Sequence, residues 1–411
     1  MSKINNQRKI VVLLGDGMAD LPIESLGGRT PLEAAKTPNM DRIASMGICG
    51  TAQTVPTGMD PGSDTANLSV FGYDPRVCYT GRAPLEAINM DIPMGPGDAA
   101  FRCNIVRTGG GIMESFTSDH IESAFSAIIM NELSKNINIK GIEFYAGVSY
   151  RNIMIWRDYP HADITSATPP HDISGRGVAD YLPKGSGSDI LNRIMNESKK
   201  IIAESSAVAE ARARLKGNPE SAWIWGGGRR PSMNTLAETR GLHGYTISAV
   251  DLIHGIGKAA GLKPLKVEGA TGYIDTDYEG KVAALIDGID RSNFVFLHVE
   301  APDESGHAGR LDHKLQSIED FDARVVGPVM KAMERYPEYS VLVMPDHPTP
   351  VALKTHTSDH VPFCAYRSPG WEDASLADKK SAGYSEPAAA ATGLHVEKGH
   401  QLLDLMISGK F

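Results

Sequence analysis

Cysteine is scarce in this chain: Cys49, Cys78, Cys103 and Cys364 are the only four in 411 residues, with no CxxC spacing. That excludes a disulfide framework and a thiolate zinc cluster, and fits reduced thiols packed as small apolar groups. Long hydrophobic runs are also missing. None approaches the roughly 20 residues a membrane-spanning helix needs, so no membrane partner is expected. The first nine residues are polar and lack the apolar core of a secretory leader, so a cytoplasmic location is expected. Positive charge is in deficit: 41 Lys and Arg face 50 Asp and Glu, a net charge of −9. Nucleic acid is therefore not expected as the main partner, although a local basic pocket stays open. No internal repeat or low-complexity linker is visible, and nothing in the sequence sets the oligomeric state.

What is present is the composition of a soluble globular protein, 41% hydrophobic and 22% charged, long enough for two or three domains with ample core. Strand and helix signals alternate, which favours an α/β fold. A strand is expected over residues 9–14, a helix over 39–46 stopped by Gly47, and another from residues 62–64 to about Val70. Residues 188–215 read as one long helix, with Ile190, Leu191, Ile194, Met195, Ile201 and Ile202 at helical spacing and Gly217 and Pro219 at its end. Ala222, Trp223, Ile224 and Trp225 read as a strand ending in Gly226, Gly227 and Gly228. A strand over 245–250 and a helix over 251–260 follow.

Three aspartates stand just past short apolar runs. Asp16 follows residues 10–14, Asp303 follows 294–299 and Asp346 follows 341–344. Buried parallel strands read as such runs, and functional groups in open α/β sheets gather beyond the strands' carboxyl ends. Asp303 and His307 are spaced i, i+4, so on a helical turn they share a face and can hold one ion. Asp346 and His347 are adjacent, and on a bending loop both can turn to one centre. Asp16 lies between two glycines that let backbone approach a ligand; the same pattern also makes a good turn. His356 or His360 could complete the set. Oxygen and imidazole donors without thiolate suit manganese or magnesium, with zinc not excluded. Convergence of these donors puts both chain ends in one sheet. Residues 1–77 and 221–411 are therefore read as one discontinuous domain, with 78–220 inserted as a second. Ser63, at a helix N-terminus, is either a nucleophile facing free N–H groups or an ordinary cap.

With these residues in view, the chain resembles the alkaline phosphatase superfamily, and within it the archaeal-type branch of cofactor-independent phosphoglycerate mutases. The resemblance rests on Gly15-Asp16-Gly17-Met18-Ala19-Asp20, Gly62-Ser63-Asp64-Thr65-Ala66-Asn67, Tyr79-Thr80-Gly81-Arg82 and Phe101-Arg102-Cys103-Asn104. Further along it rests on Gly269-Ala270-Thr271-Gly272-Tyr273, Pro302-Asp303-Glu304-Ser305-Gly306-His307 and Asp346-His347-Pro348-Thr349-Pro350. These segments run in order over nearly the whole chain.

The resemblance implies a mixed, mostly parallel sheet flanked by helices, carrying an inserted α/β cap that binds substrate. It implies a glycolytic isomerase with two divalent metal ions. Asp303, His307 and His356 would hold one; Asp16, Ser63, Asp346 and His347 would hold the other, with Ser63 as the phosphorylated nucleophile. This choice prefers His356 to His360. The partner would be a small phosphorylated acid, gripped by candidates His120, Arg151, His171 and Arg230. Two stretches depart from the family pattern, Glu238-Thr239-Arg240-Gly241 and Thr168-Pro169-Pro170-His171-Asp172. They keep a related phosphotransferase, acting on homoserine, or a phosphohydrolase as alternatives.

Overall fold

The computed structural model describes residues 8–165 and 167–410, so most of the polar N-terminal segment lies outside the described residues. Twelve strands form among them: β1 (Lys9–Gly15), β2 (Ile48–Ala52), β3 (Ala99–Val106), β4 (Ile142–Tyr145), β5 (Arg151–Trp156), β6 (Ser221–Arg229), β7 (Gly244–Ile247), β8 (Lys263–Leu265), β9 (Phe294–Val299), β10 (Tyr339–Met344), β11 (Val361–Ser368) and β12 (His395–Val396). The chain divides into two units, Met1–Tyr79 with Met233–Phe411, and Thr80–Ser232.

The first unit is built on an eight-stranded sheet in the order β12-β2-β11-β10-β1-β9-β7-β8. Only β11 runs antiparallel to its neighbours; β10, β1, β9, β7 and β8 are parallel. The apolar runs form the centre because helices cover both faces of a parallel sheet, and Ile10 to Leu14, Phe294 to Leu297 and Val341 to Met344 are fully buried. Pro38–Met46 and Asp251–Ala259 are helical close to the expected bounds.

The second unit carries a four-stranded sheet, β4-β5-β3-β6, antiparallel throughout. Its end differs from the expected boundary. Strand β6 pairs with β3 along its length, so residues 221–232 belong to this unit and not to the first. The glycines read as the strand's end lie inside it. A Cβ on Gly227 would come within 2.4 Å of the Phe101 ring, and one on Gly228 within 2.4 Å of the Thr80 carbonyl. Close packing explains Gly227 and Gly228, while Gly226 supplies a left-handed backbone (φ of +60°) where the pairing with β3 shifts register. The long helix is also two: Ser188–Glu204 stops at Ser205, whose hydroxyl accepts from the Val208 N–H and starts Ser206–Arg212. A serine cap broke a pattern that apolar spacing alone continued. All four cysteines are free and buried, and no helix among the described residues is long and apolar enough to cross a membrane.

Candidate metal centre and nucleophile

Strands β10, β1 and β9 are adjacent and parallel, so their carboxyl ends deliver Asp346, Asp16 and the Ala301–His307 helix to one edge. Asp16 and Asp346 are fully buried and Asp303 nearly so. Gly17 makes this approach possible. It holds a φ of +60°, its N–H donates to Asp346 Oδ1 at 3.1 Å, and a Cβ there would lie 2.6 Å from Asp303 Oδ1. Gly17→Ala is expected to lose at least about 1–2 kcal/mol from the left-handed backbone alone. Steric overlap adds to that loss, which urea denaturation would measure.

Two donor groups result. In the first, His307 and His356 both reach Asp303, at 3.3 Å to Oδ2 and 3.3 Å to Oδ1. His307 Nδ1 meets the Lys354 carbonyl at 3.1 Å and His356 Nδ1 meets that of Pro61 at 3.3 Å. A carbonyl only accepts, so both Nδ1 atoms carry hydrogen and both Nε2 atoms turn inward, 2.8 Å apart. Two lone pairs and a carboxylate this close need a proton or a metal cation between them. Burial works against charge on His307, but Asp303 outweighs it and lifts the imidazole to about 9. Asp303 itself is held well below the usual carboxylate range: burial opposes ionisation, and the two imidazoles overcome it.

In the second group, Asp16, Asp346 and His347 place donor atoms within 4.8 Å of one another. The Thr349 hydroxyl donates to Asp303 Oδ1, so it accepts from His347 Nδ1 at 3.2 Å. His347 Nε2 is thereby bare, 3.5 Å from Asp16 Oδ1 and 3.4 Å from Asp346 Oδ2. Asp16 Oδ1 is buried without a hydrogen-bond partner. Burial, then the charge of Asp346, pushes the Asp16 carboxyl well above its usual range. An orphaned carboxylate oxygen, a second carboxylate and a bare imidazole nitrogen fit a divalent cation. His347 also joins Asp303 and His356 in a further set of donors, so it stands between the two groups.

Ser63 opens the Ser63–Val70 helix, but Gly62 holds the cap position. The capping role left open for the serine is not the one it plays. Its Oγ lies 3.2 Å from His347 Nε2. His360 is excluded from the site: it is exposed and lies against His395, ring centroids 4.2 Å apart and tilted by 37°.

Several supporting residues are not singled out by the sequence. Asn67 Nδ2 donates to Asp346 Oδ2 at 2.7 Å and to the Ser63 carbonyl at 2.9 Å. Its i, i+4 spacing from Ser63 was the available signal. His298 Nε2 meets Asp16 Oδ2 at 2.7 Å, from inside an otherwise apolar strand. Lys314, fully buried, pairs with Asp20 at 3.0 Å.

The cap candidates lie in the second unit, Arg230 included, although the sequence placed it just beyond the cap. Two of the four share a cluster there. Arg151 lies over Tyr150 at 4.7 Å, Tyr150 meets Phe116 at 5.9 Å, Phe116 meets His171 at 6.0 Å, and His171 meets Trp225 at 5.4 Å. Arg102 also reaches this group, 4.5 Å from the Trp225 ring, and pairs with Glu86 at 3.1 Å. Asn104 takes the Trp225 indole N–H, while its own Nδ2 is buried without an acceptor. His120 sits in a left-handed turn (Ser118, Asp119 and His120 have φ of 49°, 59° and 57°), and its N–H donates to Thr117 Oγ1 at 3.1 Å, outside the cluster. Arg230 is exposed past the end of β6 and makes no hydrogen bond or ion pair among them. The departure at 238–241 has a structural role: Arg240 Nε binds Asp404 Oδ1 at 2.7 Å and Arg240 Nη2 binds the Gly72 carbonyl at 2.8 Å.

Comparison with known proteins shows the family. The family profile described as 2,3-bisphosphoglycerate-independent phosphoglycerate mutase matches residues 44–207. A probable enzyme of that name from Geobacter sulfurreducens is 48% identical over 97% of this chain and 99% of its own. One from Methanothrix thermoacetophila is 47% identical over 98% and 100%. Among solved structures, a Pyrococcus horikoshii protein aligns with a TM-score of 0.79 at 25% identity, covering 97% of this chain and 96% of its own. A cofactor-independent phosphoglycerate mutase from Thermoplasma acidophilum shares the fold, with a TM-score of 0.63 at 22% identity over 97% and 98%. The chain belongs to the 2,3-bisphosphoglycerate-independent phosphoglycerate mutases.

Proposed function

We propose that this protein interconverts 2- and 3-phosphoglycerate through a phosphoserine at Ser63. The observation that carries the reading is Ser63 Oγ, free of any capping duty and 3.2 Å from His347 Nε2, amid buried carboxylates and imidazoles. Asp303, His307 and His356 would hold one divalent ion; Asp16, Ser63, Asp346 and His347 would hold the other. Bound there, such ions lower the hydroxyl's pKa and neutralise charge on the phosphate. Ser63 Oγ loses its proton and attacks phosphorus in line; the new O–P bond forms as the bond to the glycerate oxygen breaks, and that oxygen takes up a proton in exchange. The Ser63 Oγ–P bond then breaks as the phosphate passes to the other hydroxyl of the same glycerate; that hydroxyl loses its proton and Ser63 Oγ regains one. Asn67 fixes both Asp346 and the backbone of Ser63, holding nucleophile and ligand in register. In the second unit, Arg151, Arg102, Asn104 and His171 form the anion-binding face that suits a phosphorylated acid. His120 and Arg230 remain candidates for the same grip.

Ser63→Ala is expected to cut mutase turnover by on the order of 10³-fold or more, since it removes the hydroxyl that carries the phosphate. A coupled phosphoglycerate assay measures it, and near-normal turnover would remove the covalent step. Turnover with homoserine and ATP but not with phosphoglycerate would replace the substrate while keeping the site.

A further inference from the structure

His298 is fully buried on β9, with hydrogen-bond partners at both ring nitrogens. Nε2 lies 2.7 Å from Asp16 Oδ2, and Nδ1 lies 3.1 Å from Ser248 Oγ. Ser248 Oγ already accepts the Val250 N–H at 2.9 Å, and His298 Nδ1 is the one acceptor its own proton finds among the described residues. The hydroxyl therefore donates to Nδ1, which places the ring hydrogen on Nε2 and aims it at Asp16. His254 braces the relay, with Nε2 3.0 Å from the Ser248 carbonyl, and Lys281 Nζ donates to the His298 carbonyl at 3.2 Å. Donor atoms of Asp16, His298 and Glu300 also fall within 4.8 Å of one another. Glu300 Oε2 is 3.6 Å from Nε2, too far to compete for the hydrogen. With Oδ2 taken, Asp16 has one oxygen left, the orphaned Oδ1 that faces His347 and Asp346.

We infer that the Ser248–His298 relay is a positioning device: it occupies one oxygen of Asp16 so that the carboxylate offers a cation the other oxygen alone. Partners of this kind behind a metal ligand are worth roughly 10–100-fold in metal affinity. The inference rests on the reading that Asp16 holds a divalent ion. A lone imidazole buried in a strand of apolar side chains is costly unless both ring nitrogens find partners, as they do here.

The test is calorimetric titration of Mn²⁺ into the full-length protein freed of metal, with melting of the metal-free protein measured alongside. His298→Leu keeps bulk but has no donor; His298→Gln restores an N–H. The Leu variant is expected to bind at one site roughly 10–100-fold more weakly, and the Gln variant to recover most of the loss. Ser248→Ala leaves the ring in place and frees its tautomer. It is expected to weaken the same site several-fold with melting of the metal-free protein little changed, and it serves if the Leu variant does not fold. Unchanged Mn²⁺ affinity in His298→Leu or, should that variant not fold, in Ser248→Ala overturns this inference while leaving the metal centre standing. Wild-type protein that binds no Mn²⁺ overturns both.

Discussion

Stripping divalent ions from the protein is expected to abolish turnover and to lower its melting temperature by on the order of 10 °C. Manganese or magnesium added back should restore both. The reason lies in what the fold has buried. Asp16, Asp346 and Asp303 are out of water, and Glu300 is close behind them. An ion present at a thousandfold excess over its Kd stabilises the folded state by about 4 kcal/mol, and each kcal/mol moves the melting point of a unit this large by roughly 2–4 °C. The metal-free protein should also respond to pH in a definite direction. Burial, then Asp303 and Glu304, push the Glu300 carboxyl up to about 8, and His307 stands raised at about 9. A folded-state pKa above the unfolded value gives stability that is complete below the unfolded pKa and lost as pH rises through the folded one. For Glu300 that window runs from 4.5 to about 8, and for His307 from 6.5 to about 9. Burial holds His298 and His347 below the usual imidazole range and Lys281 down at about 8, so these groups oppose the trend below about pH 6.5 and above about pH 8. Between those limits metal-free protein should melt progressively lower, whereas the loaded protein should not follow this trend. Differential scanning calorimetry with and without chelator decides the matter. Equal melting temperatures across that range would mean that the carboxylates are not a metal site.

The donors were legible because each obeys a rule of position. Asp16, Asp303 and Asp346 follow apolar runs, and the parallel pairing of β10, β1 and β9 turns three distant segments into neighbours. His307 announced itself by helical spacing. The supporting shell was not legible in this way. Lys314 and His298 are polar residues at buried positions whose partners, Asp20 and Asp16, come from elements about 290 and 280 residues away in sequence. Nothing local marks such a partner. Strand β6 was misjudged because glycine has two uses, turning a chain and admitting a close neighbour, and only the packing against Phe101 and Thr80 tells them apart. Likewise Ser205 lies in a run whose apolar period continues past it, so the cap is visible only once the backbone leaves the helix there. Arg151 and His171 came from the resemblance, whereas Arg102 and Asn104 were found by the register of β3 against β5 and β6.

Lys314→Met is expected to destabilise the protein by about 3–5 kcal/mol, the usual cost of removing one partner from a buried ion pair. Lys314 Nζ donates to the Thr349 carbonyl at 2.7 Å and the Ala19 carbonyl at 3.2 Å, and sits 3.0 Å from Asp20 Oδ2. Burial lowers the pKa of this ammonium, and Asp20 is the charge that opposes the shift. Asp20 Oδ2 in turn accepts the Val351 N–H at 3.0 Å. One ammonium thus clamps the loop after β1, which carries Asp16, to the loop after β10, which carries His347. Met fills the same space but leaves a buried carboxylate and two carbonyls without their donor. Two results separate the clamp from simple packing. Asp20→Asn combined with Lys314→Met should be less destabilised than Lys314→Met alone, because the stranded charge is gone. Lys314→Met should also bind Mn²⁺ more weakly, since the two ligand loops lose their common anchor. Urea denaturation of metal-free protein gives the first comparison, and a Mn²⁺ titration gives the second. A Lys314→Met variant within about 1 kcal/mol of wild type, with undiminished metal affinity, would show that the loops hold their places without the ammonium.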